Sequence, residues 1–339
     1  MAGRWLLKIA ALAGVTFGYR AQRRRIERAV TEDDQWPELQ TPVPSTAVSV
    51  TSGDGTRLHA EVVGPERAPT IVLVHGWCCA VRFWHYQLRD LAGDYRIVAY
   101  DLRGHGRSDR PANRDYSTDA LAADLDAVLR ACVPPEERTV VVGHSMGGMS
   151  VVAWVGAHPG EVGHRLAGVV LVDTGTGRLI AESRLLPTIS GLSAVRTAAG
   201  RLALRVPVPV PTPPDPVGYL GIRSIASSRH ARPAHVAFCA QMISECPPRV
   251  RTAFGVTLGR LDLVHCLRSL VVPTVVLVGS EDRLIPPPQS RAIADEVPGA
   301  ALFELPGLGH TAPVEGHEEV TGHIRAVAEA TSAGPRAKS

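Results

Sequence analysis

The stretch Gly143-His144-Ser145-Met146-Gly147 is the most informative part of this sequence for predicting the fold. An apolar run at residues 139–142 precedes it, and a helix-like segment at residues 148–154 follows it. A strand, Gly-x-Ser-x-Gly and a helix form the context of a nucleophile elbow, a sharp turn that holds a serine in strained backbone. Glycines two residues before and after the serine let strand and helix pass close together. The stretch therefore predicts an activated serine at position 145.

Short apolar runs that alternate with helix-like segments continue on both sides of this turn. The runs that predict strands lie at residues 47–51, 57–63, 70–74, 96–100, 139–142, 167–172, 274–278 and 301–305. Residues 119–132 have the spacing of a helix with one apolar face, and Ser117 or Thr118 is a plausible cap. Continuous apolar strands separated by helices predict an α/β fold, a mainly parallel eight-stranded sheet with helices on both faces.

Residues 174–270 interrupt this alternation. Within them, the run Val-Pro-Val-Pro-Val-Pro-Thr-Pro-Pro-Asp-Pro at residues 206–216 fits neither a helix nor a central strand. Helix-like segments flank it at residues 185–203 and 234–244. A structureless loop of that length is uncommon in a compact domain, so we predict an inserted helical cap. The predicted domains are an N-terminal segment at 1–45, a core at 46–173 and 271–331, and the cap at 174–270.

The N-terminal segment carries a concentrated positive charge. Residues 1–30 contain seven basic residues and one acid, a net charge of +6, whereas residues 31–339 carry −3. The body therefore has no basic excess to attract a nucleic acid. The apolar run near the start is interrupted by Lys8 and is shorter than the about 20 residues of a membrane span. Two interpretations stay open, a surface helix with a solvated basic end and peripheral contact of residues 1–30 with an anionic membrane.

The cysteines and the flanks of the apolar run bear on the compartment. Cys78, Cys79, Cys132, Cys239, Cys246 and Cys266 show no spacing typical of a metal site. Adjacent cysteines rarely form a disulfide, and buried reduced thiols suit a reducing compartment. No small-x-small cleavage site follows the apolar run, and residues 31–45 have the composition of a linker. We expect a cytoplasmic protein, with membrane association left open, and no metal or other cofactor.

An activated serine needs two partners. A histidine usually takes the hydroxyl proton, and a buried carboxylate orients that histidine. In this architecture the acid precedes the histidine in the chain, and both lie on loops at the carboxyl ends of strands. Asp282 follows the run at 274–278 and His310 follows the run at 301–305. We predict a catalytic triad of Ser145, Asp282 and His310.

Other residues compete for these roles. Glu281 is the nearest rival of Asp282, although its longer side chain one residue earlier would aim differently. Asp173, directly after the run at 167–172, is a second rival. We expect His144 to support the turn rather than to transfer a proton, and His75 to be a hydrogen-bonded structural residue.

A tetrahedral intermediate at a carbonyl carbon needs backbone N–H donors aimed at its oxyanion. In an elbow of this type one donor is the residue after the nucleophile, here Met146. The second comes from the loop after the 70–74 run, which reads His75-Gly76-Trp77-Cys78. We predict that the oxyanion hole consists of the N–H groups of Met146 and Trp77.

Five pieces of the chain together resemble the α/β-hydrolase-fold serine hydrolases. They are His75-Gly76-Trp77, Asp101-Leu102-Arg103-Gly104-His105-Gly106-Arg107-Ser108, Gly143-His144-Ser145-Met146-Gly147, the Asp282 loop and Gly309-His310. They extend from about residue 47 to 330. The resemblance implies an esterase-like or lipase-like enzyme that uses no cofactor and carries a helical cap at the position of the insertion.

The resemblance leaves the reaction open. An apolar cap favours an apolar substrate, so our hypothesis is hydrolysis of a small apolar or lipid-like carboxylic ester through an acyl-enzyme. Perhydrolysis of the haloperoxidase type and C–C bond hydrolysis use the same triad and remain alternatives, as does a ligand receptor without turnover. Related epoxide hydrolases and haloalkane dehalogenases use a carboxylate nucleophile, so the serine at position 145 disfavours those reactions.

Overall fold

Eight strands form one sheet within residues 2–184 and 193–332, the part of the chain that this computed structural model describes. They are β1 (Thr46–Thr51), β2 (Arg57–Val63), β3 (Thr70–Val74), β4 (Arg96–Tyr100), β5 (Thr139–His144), β6 (Leu166–Val172), β7 (Thr274–Gly279) and β8 (Ala301–Leu305). Their order is β1-β2-β4-β3-β5-β6-β7-β8, and only the β1–β2 and β2–β4 pairs are antiparallel. The predicted mainly parallel, eight-stranded sheet is confirmed.

Helices cover both faces of this sheet. Those described are α1 (Ala2–Thr31), α2 (Trp36–Gln40), α3 (His85–Leu91), α4 (Thr118–Cys132), α5 (Met146–Ala157), α6 (Val162–Arg165), α7 (Leu179–Glu182), α8 (Ser193–Ala203), α9 (Pro216–Ile225), α10 (Pro233–Glu245), α11 (Pro248–Leu258), α12 (Pro287–Glu296), α13 (Ala312–Glu315) and α14 (His317–Ser332). Short 3₁₀ turns span Val81–Trp84 and Val264–Ser269. Ser117 caps α4, because its hydroxyl accepts the Ala120 N–H at 3.2 Å.

The central strands are buried on both sides. Every residue of β3, β5 and β6 is buried, which explains their continuous apolar sequences. Alternate residues point to opposite faces, so Val72 packs with the core under α4, α5 and α12, whereas Ile71 packs with the core under α3 and α14. The carboxyl ends of β5, β7 and β8 lie at one edge of this sheet, where Ser145, Asp282 and His310 follow.

Residues 174–270, for which the sequence predicts a cap, contain several short helices in their described part. The prediction for residues 234–244 corresponds to α10, and the prediction for 185–203 is met by α8 from Ser193 onwards, whereas residues 185–192 lie outside the described residues. Proline occupies the first turn of α9, α10 and α11, where its missing N–H costs nothing.

The N-terminal segment packs against this cap. Ile26 and Val30 of α1 are buried in a cluster with Val236 and Ala237 of α10. Immediately after α1, Asp33 accepts hydrogen bonds from Arg232 Nη2 at 2.7 Å and from the Ala234 N–H at 3.2 Å. Residues 31–45, whose composition predicted a linker, thus contact the cap directly. Among the described residues, no helix combines the length and the apolar character needed to cross a membrane.

Candidate active site

Ser145 stands at the sharp turn between β5 and α5. Its backbone has φ +51° and ψ −119°, a strained conformation for a residue with a side chain. The glycines of the turn are sterically required: a Cβ on Gly147 would lie 2.0 Å from the Val74 carbonyl oxygen, and one on Gly143 would lie 2.6 Å from Gly148 Cα. These glycines permit the sharp turn, which places Ser145 directly after the carboxyl end of β5.

The structure brings the three residues of the predicted triad together. His310 Nε2 lies 3.0 Å from Ser145 Oγ, and His310 Nδ1 lies 2.7 Å from Asp282 Oδ2. The second carboxylate oxygen of Asp282 accepts the N–H groups of Leu284 at 2.8 Å and Ile285 at 2.9 Å, which fix its orientation. Ser145 is only 6 % exposed. Hydroxyl, imidazole and carboxylate form one continuous hydrogen-bonded chain.

The two rival acids have other partners. Glu281 accepts the N–H of Arg229 at 3.1 Å and its Nε–H at 2.7 Å, so its carboxylate binds the cap instead of His310. Asp173 accepts the N–H groups of Gly279 at 2.8 Å and Ala312 at 3.2 Å and thereby joins the ends of three core elements. Complete burial, with a contribution from the charge of Asp282, raises the pKa of Asp173 well above its ordinary value.

Two buried histidines support the site without contacting the serine hydroxyl. His144 Nε2 donates to the carbonyl oxygen of His310 at 2.8 Å, so it holds the backbone of the histidine loop. Burial, together with the nearby His310, keeps the pKa of His144 well below its ordinary value. His75 Nδ1 donates to the Gly76 carbonyl at 2.8 Å, and its burial lowers its pKa to about 3. Both rings are therefore neutral and structural at pH 7.

The loop after β3 lies directly against Ser145. A Cβ on Gly76 would lie 3.1 Å from Ser145 Cβ and 2.7 Å from His144 Nδ1, so only glycine fits there without displacement. Across residues 2–184 and 193–332, neither the Trp77 N–H nor the Met146 N–H donates a hydrogen bond to another group of the chain. Two backbone N–H groups without a partner thus belong to the residue after Ser145 and to the loop that lies against it, the two residues for which the sequence predicts an oxyanion hole.

His105 holds this loop in place, a role that the sequence did not reveal. Its Nε2 accepts the N–H of Cys78 at 3.1 Å, while its Nδ1 donates to the Arg103 carbonyl at 3.1 Å. Cys78 adopts a left-handed φ of +62°, which this hydrogen bond stabilises. Since Cys78 follows Trp77 directly, His105 fixes the orientation of the peptide next to the free donor.

The cap closes over the histidine. The N–H of His310 donates to the Ala226 carbonyl at 2.8 Å, and a Cβ on Gly309 would lie 2.5 Å from the Ser228 nitrogen. Glu315 Oε2 accepts the Ser228 N–H at 3.0 Å. The cap turn at residues 226–229 is therefore anchored to the histidine loop. No signal in the sequence predicts this contact, because it involves backbone atoms that any residue could supply.

Neither a metal site nor a disulfide contributes to this region. Within the described part of the chain, no group of three or more His, Cys, Asp or Glu side chains is arranged to hold a metal ion. All six cysteines are free, and burial raises the pKa of the Cys79 thiol to about 12. Ser145, His310 and Asp282 can activate the nucleophile by proton transfer along their hydrogen-bonded chain.

Comparison with known proteins identifies the same fold. A family model described as alpha/beta hydrolase fold matches residues 69–203. Epoxide hydrolase 4 of Mus musculus is 38% identical over 102 residues, which are 30% of this chain and 27% of that protein. A non-heme chloroperoxidase of Burkholderia pyrrocinia is 30% identical over 243 residues, 70% of this chain and 83% of that protein. A thermophilic esterase from Thermogutta terrifontis aligns with a TM-score of 0.67 and 25% identity, over 84% of this chain and 99% of that one.

Proposed function

The chain belongs to the α/β-hydrolase fold family, and on this premise we propose that it is a serine hydrolase that cleaves carboxylic esters with an apolar acyl or alkyl group. The observation that carries the proposal is the hydrogen-bonded chain from Ser145 Oγ to His310 Nε2, 3.0 Å, and from His310 Nδ1 to Asp282 Oδ2, 2.7 Å. Proton transfer in both halves of an acyl transfer requires such a chain.

The first half-reaction is acylation. Ser145 Oγ attacks the ester carbonyl carbon while His310 Nε2 takes the hydroxyl proton, and the imidazolium then donates that proton to the leaving alkoxide. Asp282 keeps the proton of the neutral ring on Nδ1 and stabilises the imidazolium. Water deacylates the enzyme by the same steps, with His310 again acting as base. The alcohol leaves first and the carboxylic acid second.

The developing oxyanion needs donors that are already in place. The N–H groups of Trp77 and Met146 have no partner in the described chain; Met146 follows Ser145 directly, and Trp77 follows Gly76, whose Cβ would lie 3.1 Å from Ser145 Cβ, which supports their role as the oxyanion hole. Preorganised donors of this kind each contribute about 10²–10³ in kcat, because they do not have to reorient as charge develops.

The apolar residues that the cap adds to the core favour an apolar substrate. Cys246, Val250 and Phe254 of the cap belong to the same buried cluster as Met146 and Cys78. Apolar walls with a few placed polar groups are typical of small-molecule sites. The structural similarity to an esterase at 25% identity supports the same reaction class.

The proposal is tested with p-nitrophenyl esters of two to twelve acyl carbons. We expect turnover with a preference for medium acyl chains, and a loss of about 10³-fold or more in Ser145→Ala, because only the oxyanion donors and binding remain. Ser49→Ala, at an exposed position of β1, is the matched control and should keep the rate. Fluorophosphonate should label the wild type only at Ser145. Labelling elsewhere, or near-normal turnover by Ser145→Ala, would exclude this nucleophile.

A second candidate is perhydrolysis, favoured by the 30% identity to a non-heme chloroperoxidase. Hydrogen peroxide would then replace water as the acceptor, and the acyl-enzyme would release a peracid. Bromination of a dye with peroxide and acetate measures this reaction, and Ser145→Ala must abolish it as well. A protein that fluorophosphonate does not label and that still binds apolar esters would instead be a receptor without turnover.

A further inference from the structure

Exposed apolar side chains concentrate in two segments of this chain, α1 and residues 195–225. Among the described residues, twelve large apolar side chains are strongly exposed, and nine of these belong to α1 or to residues 195–225. The nine are Phe17, Tyr19, Val195, Leu202, Val206, Val208, Val217, Leu220 and Ile225. Single exposed apolar residues are ordinary, whereas a concentration of them marks an interaction surface.

Contacts hold α1 and the cap in a fixed relation. The hydroxyl of Tyr19 donates to Asp215, the N-cap residue of α9. Phe17, 76 % exposed, and Val217, 66 % exposed, each lie two residues from this hydrogen bond. The buried contacts of Ile26 and Val30 with α10 fix the carboxyl-terminal end of α1. We call the exposed residues of 16–28 and 195–225 the cap face.

The charge of the chain is divided along the same line. Residues 193–270 contain ten arginines and three acids, a net charge of +7, and residues 1–30 carry +6. The remaining residues, 31–192 and 271–339, contain nineteen basic and twenty-nine acidic residues, a net charge of −10. Some cap arginines pair with acids of other segments, such as Arg232 with Asp33 and Arg229 with Glu281. Within residues 16–31 of α1, the exposed cationic residues are Arg20, Arg23, Arg24, Arg25 and Arg28.

We propose that the cap face is a docking surface for anionic lipid bilayers. The exposed apolar side chains would enter the boundary of the acyl chains, and the arginines that flank them would bind the phosphate groups of the lipids. A protein partner would need a matching acidic surface, whereas an anionic bilayer supplies that charge over any area. The strongly acidic remainder of the molecule would be repelled and would orient the cap toward the lipid.

Docking at this face would also connect the bilayer to the candidate active site. Helix α9 carries Val217, Leu220 and Ile225 on the cap face, and Ala226 is the residue directly after its end at Ile225. The carbonyl of Ala226 accepts the N–H of His310 at 2.8 Å. This step rests on the proposed function: esters dissolved in the membrane would be the substrates. Binding to lipid itself does not depend on turnover.

Vesicle co-sedimentation tests docking separately from catalysis. We would use the full chain, as wild type and as Ser145→Ala, with phosphatidylcholine vesicles and with vesicles containing 30 mol% phosphatidylglycerol. Both proteins should bind the anionic vesicles much more strongly, and 0.5 M salt should weaken the binding, since the screening length falls well below its value of about 8 Å at 0.15 M. Equal binding by Ser145→Ala separates this proposal from the assignment of the nucleophile.

Paired variants assign the binding to the cap face. Arg24→Gln with Arg25→Gln should lower the partition coefficient about 25-fold, because each basic residue near such a surface contributes about a fivefold factor. Phe17→Ser with Val217→Ser should lower it at least tenfold. The controls are Arg67→Gln with Arg110→Gln and Val271→Ser with Phe303→Ser, all exposed positions outside the cap face. They should change binding less than twofold, with circular dichroism unchanged in every variant.

Two results would overturn the proposal. One is vesicle binding without the expected specificity: the protein sediments equally with neutral and anionic vesicles, or the control variants lower the binding as much as the cap-face variants do. The other comes from sedimentation velocity: the wild type is a dimer, the variant Phe17→Ser with Val217→Ser is a monomer, and neither protein binds vesicles. The face would then be an interface between two copies of this chain.

Discussion

Gly76→Ala perturbs the oxyanion loop without substituting any residue of the triad. The added methyl would lie 3.1 Å from Ser145 Cβ and 2.7 Å from His144 Nδ1. Ordinary contacts between such atoms are about 3.5–4.0 Å, so relief of the shorter contact requires a displacement of about 0.8 Å. The elbow is fixed by its own glycines, and the loop that carries the Trp77 N–H must therefore move.

The size of the effect follows from this displacement. A misplacement of about 1 Å costs about 10²-fold in rate, and complete loss of one oxyanion donor costs about 10²–10³-fold. We expect kcat for p-nitrophenyl butyrate to fall about 100-fold, about 2.7 kcal/mol, with KM changed less than threefold, because the donor acts mainly in the transition state. Labelling by fluorophosphonate should slow in parallel, since its phosphoryl oxygen uses the same donors.

The control for this variant is Gly53→Ala. A Cβ at Gly53 meets no atom within 4 Å, so the same substitution there should leave kcat and the melting temperature near the wild-type values. Circular dichroism and thermal unfolding monitor the fold of both variants. If folded Gly76→Ala retained more than a third of the wild-type kcat, the Trp77 N–H would not be part of the oxyanion hole.

Two further predictions concern carboxylates. Asp282→Asn should lower kcat about 10⁴-fold, because the asparagine would favour the wrong tautomer of His310. Glu281→Gln should change kcat less than fivefold, because Glu281 binds Arg229. Steady-state ester hydrolysis measures both, and the reverse order of the two effects would exchange the two assignments. Partial burial tends to raise the pKa of Asp54, but hydrogen bonds from Thr56 and the charge and hydrogen bond of Arg103 outweigh it and lower that pKa to about 2. A lowered folded-state pKa stabilises the fold above the ordinary value of about 3.9, and the gain is lost as pH falls toward 2. Asp54→Asn should therefore reduce the free energy of unfolding by about 1 kcal/mol at pH 6, after allowance for solvent screening, and by much less near pH 2. Urea titrations measure this free energy for wild type and variant. A difference between the two proteins that did not change with pH would contradict the prediction.

Local sequence carried most of the fold and the positions of the site residues. The apolar strands predict a buried parallel sheet by composition alone, and the Gly-x-Ser-x-Gly turn follows from sterics within five residues. Asp282 and His310 could be found because a parallel sheet brings the carboxyl ends of its strands to one edge. The choice of Asp282 over Glu281 was predicted from side-chain length, and the contacts of Glu281 with Arg229 agree with it geometrically.

Contacts between residues far apart in the sequence could be identified only in the tertiary structure. Asp33 and Arg232 are about 200 positions apart, and composition predicted a linker where they form an ion pair. The contact of the Ala226 carbonyl with the His310 N–H joins two backbone groups, which every sequence contains, and the His105 ring accepts a backbone N–H, that of Cys78. The physical reason is that a pattern of side chains encodes local conformation and burial, whereas the partner of a backbone donor depends on how separately formed elements pack.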